Sequence, residues 1–387
     1  MQEEIMKLRF ASLLHDELSA KFIRQYLPNE LQKGLTFVAG HHDASQYLSQ
    51  GYHHLKMLVL ADWLASSERR DLNEEEEKGK RKKMPMETIF TSISLDHNKD
   101  VERKYHNIEL LSLNESVFPL ERKDISQELE DNYRKLWNNF IAELGKIEYK
   151  NSERYLISLY YLLKKYTSRI PSAVWQSRPD ISLFDHSKIT CAIMESIYKN
   201  NMNEEEIGKI LEILNKKSKN ENLTEEEKLL LNKDRFSLIG GDISGIQRFI
   251  YSITSKGAAK GLKGRSFYLQ LLGEAIAKYI LNRVGLSIAN LIYSAGGHFY
   301  IFAPQNVDIN GIRKELEEIL MEIHNGELYV AVDKVDLSIS DLIEKRIGEK
   351  WKELGNKLEE RKKKKFSNIL DKKQVSANVY YVKALRS

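Results

Sequence analysis

Two apolar runs, 288–294 and 299–303, are separated only by Ala295-Gly296-Gly297-His298. Paired glycines supply the positive φ angles of a tight turn, so the two runs are expected to be adjacent antiparallel strands of a hairpin. The flanking sequence extends the pattern. Residues 236–241 form a short apolar run ending in two glycines, read as a buried strand, and 245–283 carries a long helical pattern interrupted by Gly257, Gly261 and Gly264. Beyond the hairpin, 312–324 is amphipathic and 327–335 alternates like another strand. Strand, helix, strand, strand, helix, strand is the order of the split βαβ, ferredoxin-like fold, βαββαβ.

The remainder reads as helix. Leu8, Ala11, Leu14 and Leu18 share one helical face, as do Leu55, Leu58, Val59, Asp62 and Trp63. The charged run 74–83, followed by Pro85, marks a linker or exposed loop, and 86–232 is again mostly helical in character. The expected class is α+β. With 387 residues the chain exceeds one ordinary core. The single cysteine, Cys191, excludes an intrachain disulfide and a four-cysteine zinc ribbon. No apolar run is long enough to span a bilayer, and the N-terminus lacks the apolar core of a secretory signal, so a cytoplasmic location is expected. The net charge of +4, from 60 basic and 56 acidic side chains, does not by itself signal nucleic acid. The basic runs at 78–83 and 361–365 are read as solvated helix faces or loop tips.

Half of the ten histidines lie in the first 54 residues, as His15-Asp16, His41-His42-Asp43 and His53-His54. A His-Asp pair on one helix, histidines from a second and an aspartate from a third would make a mixed nitrogen and oxygen site for a divalent transition ion. Such an ion activates water and binds a phosphodiester oxygen, which is hydrolytic chemistry. His15, Asp16, His41, His42 and Asp62 form the candidate metal set. His53 and His54 are read as ordinary helix-end histidines.

In nucleotidyl polymerases and cyclases with the ferredoxin-like fold, the first strand ends in an acid and the hairpin carries one or two more, which together hold two metal ions on a triphosphate. Here the first strand ends in Asp242-Ile243-Ser244, while the hairpin has His298 where an acid is needed. A domain of this kind is expected to hold nucleotide without transferring it. The stretch 255–266, with Lys256, Lys263 and Arg265 among glycines, suits phosphate binding, although its spacing is not that of a Walker A loop.

The blocks GDISGIQRFIYSITSKGAAKGLKGRSFYLQLLGEAIAKYIL and ANLIYSAGGHFYIFAP resemble the first palm of the Csm-type large subunit of type III-A CRISPR complexes. HHDASQYL and ADWLASSERR resemble that family's N-terminal HD nuclease domain, and 169–190 resembles the segment before the palm. The likeness runs from about residue 13 to about residue 366. It implies four regions: an all-helical HD-type metal-dependent nuclease domain at 1–85, a helical connecting region at 86–232, a nucleotide-binding first palm at 233–340, and a basic helical C-terminal segment at 341–387. It further implies single-stranded DNA cleavage with Mn, Ni or Co at the HD site, with His15 and Asp16 as the catalytic pair. ATP with Mg would sit at the palm, contacted by Asp242, Ser244, Lys256, Lys263, Arg265, Gly296, Gly297 and His298. Guide RNA, target RNA and other Csm subunits are the implied partners, with no membrane.

Asp185-His186-Ser187-Lys188 matches a family signature and is read as structural, holding helix to palm. The sequence departs from the family pattern in two places. A loop beginning Ile-Gly-Lys, with a further histidine after it, is expected behind the His-Asp pair, yet Asp16 runs straight into Glu17-Leu18-Ser19-Ala20. A chain without that loop is short of one metal ligand. No cysteine-rich zinc element, second palm or Gly-Gly-Asp-Asp follows, so cyclic oligoadenylate synthesis is not expected from this chain alone. The competing expectations are a degenerate scaffold or sensor, and a free-standing nucleotide cyclase with an appended phosphohydrolase.

Overall fold

The computed structural model describes residues 2–16, 24–40, 51–67, 84–93, 102–110, 118–122, 129–173, 178–252 and 258–370. The chain divides into two compact units, Met1–Met194 with Asn203–Leu211, and Glu195–Met202 with Glu212–Ser387.

The first unit is built mainly from helices α1 (Gln2–Leu13), α2 (His53–Ser66), α3 (Leu129–Leu144), α4 (Ser152–Thr167) and the start of α5 (Leu183–Lys199). Every residue of α2 from Leu55 to Ala61 is buried, which marks an interior helix rather than an amphipathic surface one. Lys56 tolerates this burial because its ammonium meets the Glu204 carboxylate at 2.9 Å. The same carboxylate oxygen accepts the Gly51 amide at 2.8 Å.

A small antiparallel sheet of strands β1 (Met86–Glu87), β2 (Lys104–His106) and β3 (Leu120–Glu121) lies where the sequence reads as helical. Strands of two or three residues are too short to leave an alternating signature, so periodicity could not reveal them.

The second unit carries helices α6 (Glu204–Ser218, shared with the first) and α7 (Glu225–Asn232) ahead of the ferredoxin-like part. There, β4 (Asp234–Ser244), α8 (Ile246–Tyr251), α9 (Ala258–Val284), β5 (Leu291–Ala295), β6 (His298–Pro304), α10 (Ile309–His324) and β7 (Tyr329–Ser338) follow in the anticipated order. The sheet order is β5-β6-β4-β7, all antiparallel, as the split βαβ topology requires. The start of the hairpin differs from expectation. Residues 288–290 form a 3₁₀ turn capped by the Ser287 hydroxyl, which accepts the Ala289 amide, so β5 begins only at Leu291.

One face of this sheet packs Ile239, Ile243, Phe299, Ile301, Val330 and Val332 against apolar residues of α9 and α10. The other face is covered by α11 (Ile347–Lys363), a helix in the basic C-terminal segment. Burial on both faces explains why β4 reads as a continuous apolar run. It also explains the two glycines within it. A Cβ on Gly240 would meet Leu354 Cδ2 at 2.9 Å, and one on Gly241 would meet the Phe299 ring at 1.9 Å. Among the described residues, no helix is long and apolar enough to cross a membrane.

Candidate metal centre and nucleotide cavity

The interior helix α2 carries Asp62 toward its C-terminal half, and His15 follows the end of α1 by two residues. A third helix, α5, presents His186 in its first turn, where Ser182 caps the start by accepting the Asp185 amide at 3.0 Å. The three side chains converge. His15 Nε2 lies 3.1 Å from His186 Nε2 and 3.5 Å from Asp62 Oδ1, and His186 Nε2 lies 3.0 Å from the same carboxylate oxygen.

These separations suit a metal. Ligand atoms about 2.1 Å from a common ion, at bond angles of roughly 90–110°, stand roughly 3.0–3.4 Å apart. His15 is also oriented for ligation. Its Nδ1 faces the Ser12 carbonyl oxygen at 2.7 Å, and because a carbonyl can only accept, Nδ1 holds a proton and directs Nε2 to the cluster. All three groups are largely buried.

Electrostatics reinforce the cluster. Burial drives the His15 imidazole toward its neutral form, but the hydrogen bond and charge of Asp62 outweigh it, and the His15 pKa lies above the ordinary histidine value. Burial likewise works against the Asp62 charge, yet hydrogen bonds from both imidazoles hold its pKa well below the ordinary aspartate value.

Of the metal set read from sequence, His15 and Asp62 are brought together. Asp16 is half-buried beside His15, on which its charge acts, but it is not a member of the three-residue cluster. His41 and His42 lie outside the described residues. His54 pairs with Glu4 at 3.0 Å, in keeping with a helix-end role. The addition is His186. The segment Asp185–Lys188, read from sequence as structural, instead supplies a potential ligand. Its signal was visible as a histidine in an unusual tetrapeptide, but 171 residues separate it from His15 and no spacing rule joins them.

In the second unit, Asp242 and His298 are direct register partners on β4 and β6. Gly296 and Gly297 take φ values of 63° and 84°, which an L side chain rarely adopts, and make the turn. A Cβ on Gly297 would also meet Ile246 Cδ1 at 2.5 Å. Below the turn is a cavity of about 440 Å³ between α8, α9 and the hairpin. Its polar lining comes from Ser266, Gln270, Glu274, Ser294 and the 296–298 segment, with Ile246, Ile250 and Leu269 supplying apolar wall.

Gly296, Gly297 and His298 therefore border a space of ligand size. The other anticipated contacts are differently employed. Asp242 is ion-paired with Lys362 and lies 3.0 Å from His298 Nε2. Ser244 ends β4 opposite Tyr329. Arg265 donates to the Phe249 carbonyl and, at 2.6 Å, to the Ser252 hydroxyl, tying α9 to α8. Lys263 is exposed near the start of α9 and Lys256 lies outside the described residues. Ser266, Gln270 and Glu274 recur every four residues, a polar stripe that helical periodicity could have exposed.

A helical unit with a buried His-His-Asp cluster and a ferredoxin-like domain whose glycine hairpin borders a cavity define a palm protein joined to a candidate metal site. Comparison with known proteins makes the class specific. Residues 235–378 match the family described as Csm1 subunit domain B. The chain is 33% identical over 410 residues to the single-strand-specific deoxyribonuclease Cas10/Csm1 (subtype III-A) of Methanocaldococcus jannaschii, covering 92% of this chain and 48% of that protein. It is 36% identical over 219 residues to the Mycobacterium tuberculosis protein of the same name, covering 55% of this chain and 26% of that one.

Among solved structures, the Csm1–Csm4 subcomplex of a type III-A CRISPR-Csm interference complex superposes with a TM-score of 0.67 at 24% identity, over 94% of this chain and 49% of that one. A Csm1–Csm4 cassette bound to AMPPNP gives 0.64 at 23%, over 95% and 49%. At such identities the structural likeness is one of fold. The chain is a homologue of the type III-A Cas10/Csm1 large subunits, and it spans about half the length of the relatives it matches over most of its own length.

Proposed function

We propose that this chain acts as part of the large subunit of a cytoplasmic type III-A CRISPR interference complex. Its first unit would cleave single-stranded DNA and its palm would hold ATP without transferring it. The observation that carries the nuclease reading is the convergence of His15, Asp62 and His186 in a chain homologous to single-strand-specific deoxyribonucleases.

Two imidazole nitrogens and one carboxylate oxygen form a mixed nitrogen and oxygen donor set for a divalent transition ion, and Mn, Ni or Co is the proposed metal. Held there, the ion would supply Lewis-acid activation of the scissile phosphate and of the attacking water. The chain's own residues prepare that chemistry. The Ser12 carbonyl fixes the His15 tautomer, and Asp62 brings a negative charge between the two imidazoles. Asp16 adds negative charge at the edge, and His41 and His42 remain proposed as additional ligands.

The palm reading rests on the cavity beneath Gly296–His298. ATP is the proposed occupant, and the hairpin's imidazole in place of an acid supports binding without catalysis. Guide RNA, target RNA and other Csm subunits are the proposed partners. In RNA-guided systems base pairing reads the sequence, so protein contacts can be confined to backbone and shape.

Cleavage of a labelled single-stranded oligonucleotide in Mn²⁺ tests the proposal. Wild type should cut it, and H186A and D62A should each lose the activity while retaining wild-type circular dichroism. Equal cleavage by H186A and wild type would remove this cluster from the reaction.

A further inference from the structure

Asp242 occupies the position at which a catalytic palm would gather metal ions, but its surroundings here are cationic. Its carboxylate is only 9% exposed, and Oδ2 is in close ion pairing with Lys362 Nζ. His298 Nε2 approaches the same oxygen at 3.0 Å from the neighbouring strand.

The ammonium is delivered by a helix that is fixed in place. Leu354 and Leu358 of α11 press against Gly240, where no side chain intervenes. One residue before Lys362, Arg361 Nε bonds Asp333 Oδ2 at 2.7 Å, and Lys357 Nζ donates to the Lys334 carbonyl at 3.2 Å. The outer side of Lys362 is balanced by Glu359, at 2.8 Å on an exposed carboxylate.

We propose that Lys362 is a resident cation of the palm: its ammonium takes the place beside Asp242 that a divalent ion takes in a catalytic palm. Magnesium does not fit this position. It prefers six oxygen ligands in near-octahedral array, and an ion arriving here would meet the Asp242 carboxylate, already paired, an imidazole, and on the outer side only the exposed Glu359 carboxylate. This palm therefore engages nucleotide without recruiting metal through Asp242, and Lys362 is a positioning residue for the site. His298 links the two regions, since it contacts Asp242 and also lines the cavity. Without the ammonium, an uncompensated negative charge would stand one residue from the cavity wall and repel a triphosphate.

The inference deepens the reading of the palm as a nucleotide-holding domain, and its nucleotide arm rests on that reading. Its metal arm does not. Electron paramagnetic resonance of added Mn²⁺ counts bound ions in the full chain without nucleotide. Wild type and D242N should bind the same number. K362E, which places a second carboxylate beside Asp242, should bind one more, and K362E/D242N should lose that ion again. A smaller number in D242N than in wild type overturns the proposal, as does a folded K362E with no added ion. Should K362E not fold, the wild-type and D242N pair decides alone.

Calorimetry with ATP in EDTA supplies the second arm. Wild type should bind as it does in Mg²⁺, K362M should bind about five- to tenfold more weakly, and K362M/D242N should recover. Unchanged affinity in K362M, or wild-type binding that collapses in EDTA, overturns it. A wild-type chain that binds no ATP in either buffer removes the nucleotide reading and leaves the Mn²⁺ count to decide the resident cation.

Discussion

At His15 the ring orientation is decided by the backbone, because the Ser12 carbonyl accepts the hydrogen bond from Nδ1–H and leaves Nε2 for the cluster. His186 completes that cluster from a distant part of the chain, and its removal is the sharper test. H186A should weaken Mn²⁺ binding to the first unit by more than about a hundredfold, since changes to outer partners alone cost metal sites 10–100-fold. Titration calorimetry measures this, and an unaltered affinity would contradict it. The contribution of His15 and Asp62 was legible because each lies in a recognisable sequence context. That of His186 was not, because only folding brings α5 beside α1 and α2. Lys362 escaped for a different reason. It sits inside the basic run 361–365, whose Lys363 and Lys364 do face solvent, and a run gives no sign of which member turns inward.

At the scale of elements, β4 and β6 show how closely the palm is packed around its glycines. G241A should cost about 3 kcal/mol, the upper part of the overpacking range, because the new methyl would overlap the ring of Phe299, a fully buried core residue. Thermal unfolding followed by hydrogen exchange on the sheet reads the loss. A second element-level prediction concerns the short helix Ile339–Ile343. Its cap is reciprocal: Asp341 accepts the Ser338 amide and hydroxyl at 2.8 Å, and Ser338 accepts the Asp341 amide at 3.1 Å. Burial raises the Asp341 pKa, but these hydrogen bonds and nearby Lys350 and Arg346 outweigh it, leaving the value below that of an ordinary aspartate. A depressed pKa contributes stability above the unfolded value and loses it as the pH falls through the folded one. D341N should therefore cost about 1 kcal/mol at pH 7 and progressively less below pH 4, read as exchange protection at the Ser338 and Asp341 amides. The long strands and the hairpin were legible from periodicity and the glycine pair. The three strands of the small sheet were not, since two or three residues cannot establish a period.

For the whole molecule, the proposed division of labour rests on what each unit contains. The candidate metal ligands lie in the first, and the cavity beneath the glycine hairpin lies in the second. Incubated with ATP and Mg²⁺, this chain should bind nucleotide yet form no cyclic oligoadenylate. The palm offers His298 where a catalytic acid is needed, and Asp242 is held by Lys362. Thin-layer chromatography of radiolabelled ATP checks this, and any cyclic product would contradict it. The α+β class and palm topology were readable because local patterns dictate them, whereas the metal cluster depends on contacts between distant segments. Anomalous X-ray scattering from crystals grown with Mn²⁺ locates the ion against that cluster without reference to activity. A peak shared by His15 Nε2, His186 Nε2 and a carboxylate oxygen of Asp62 is expected; Mn²⁺ bound elsewhere, with no density among these three residues, would show that they do not form a metal centre.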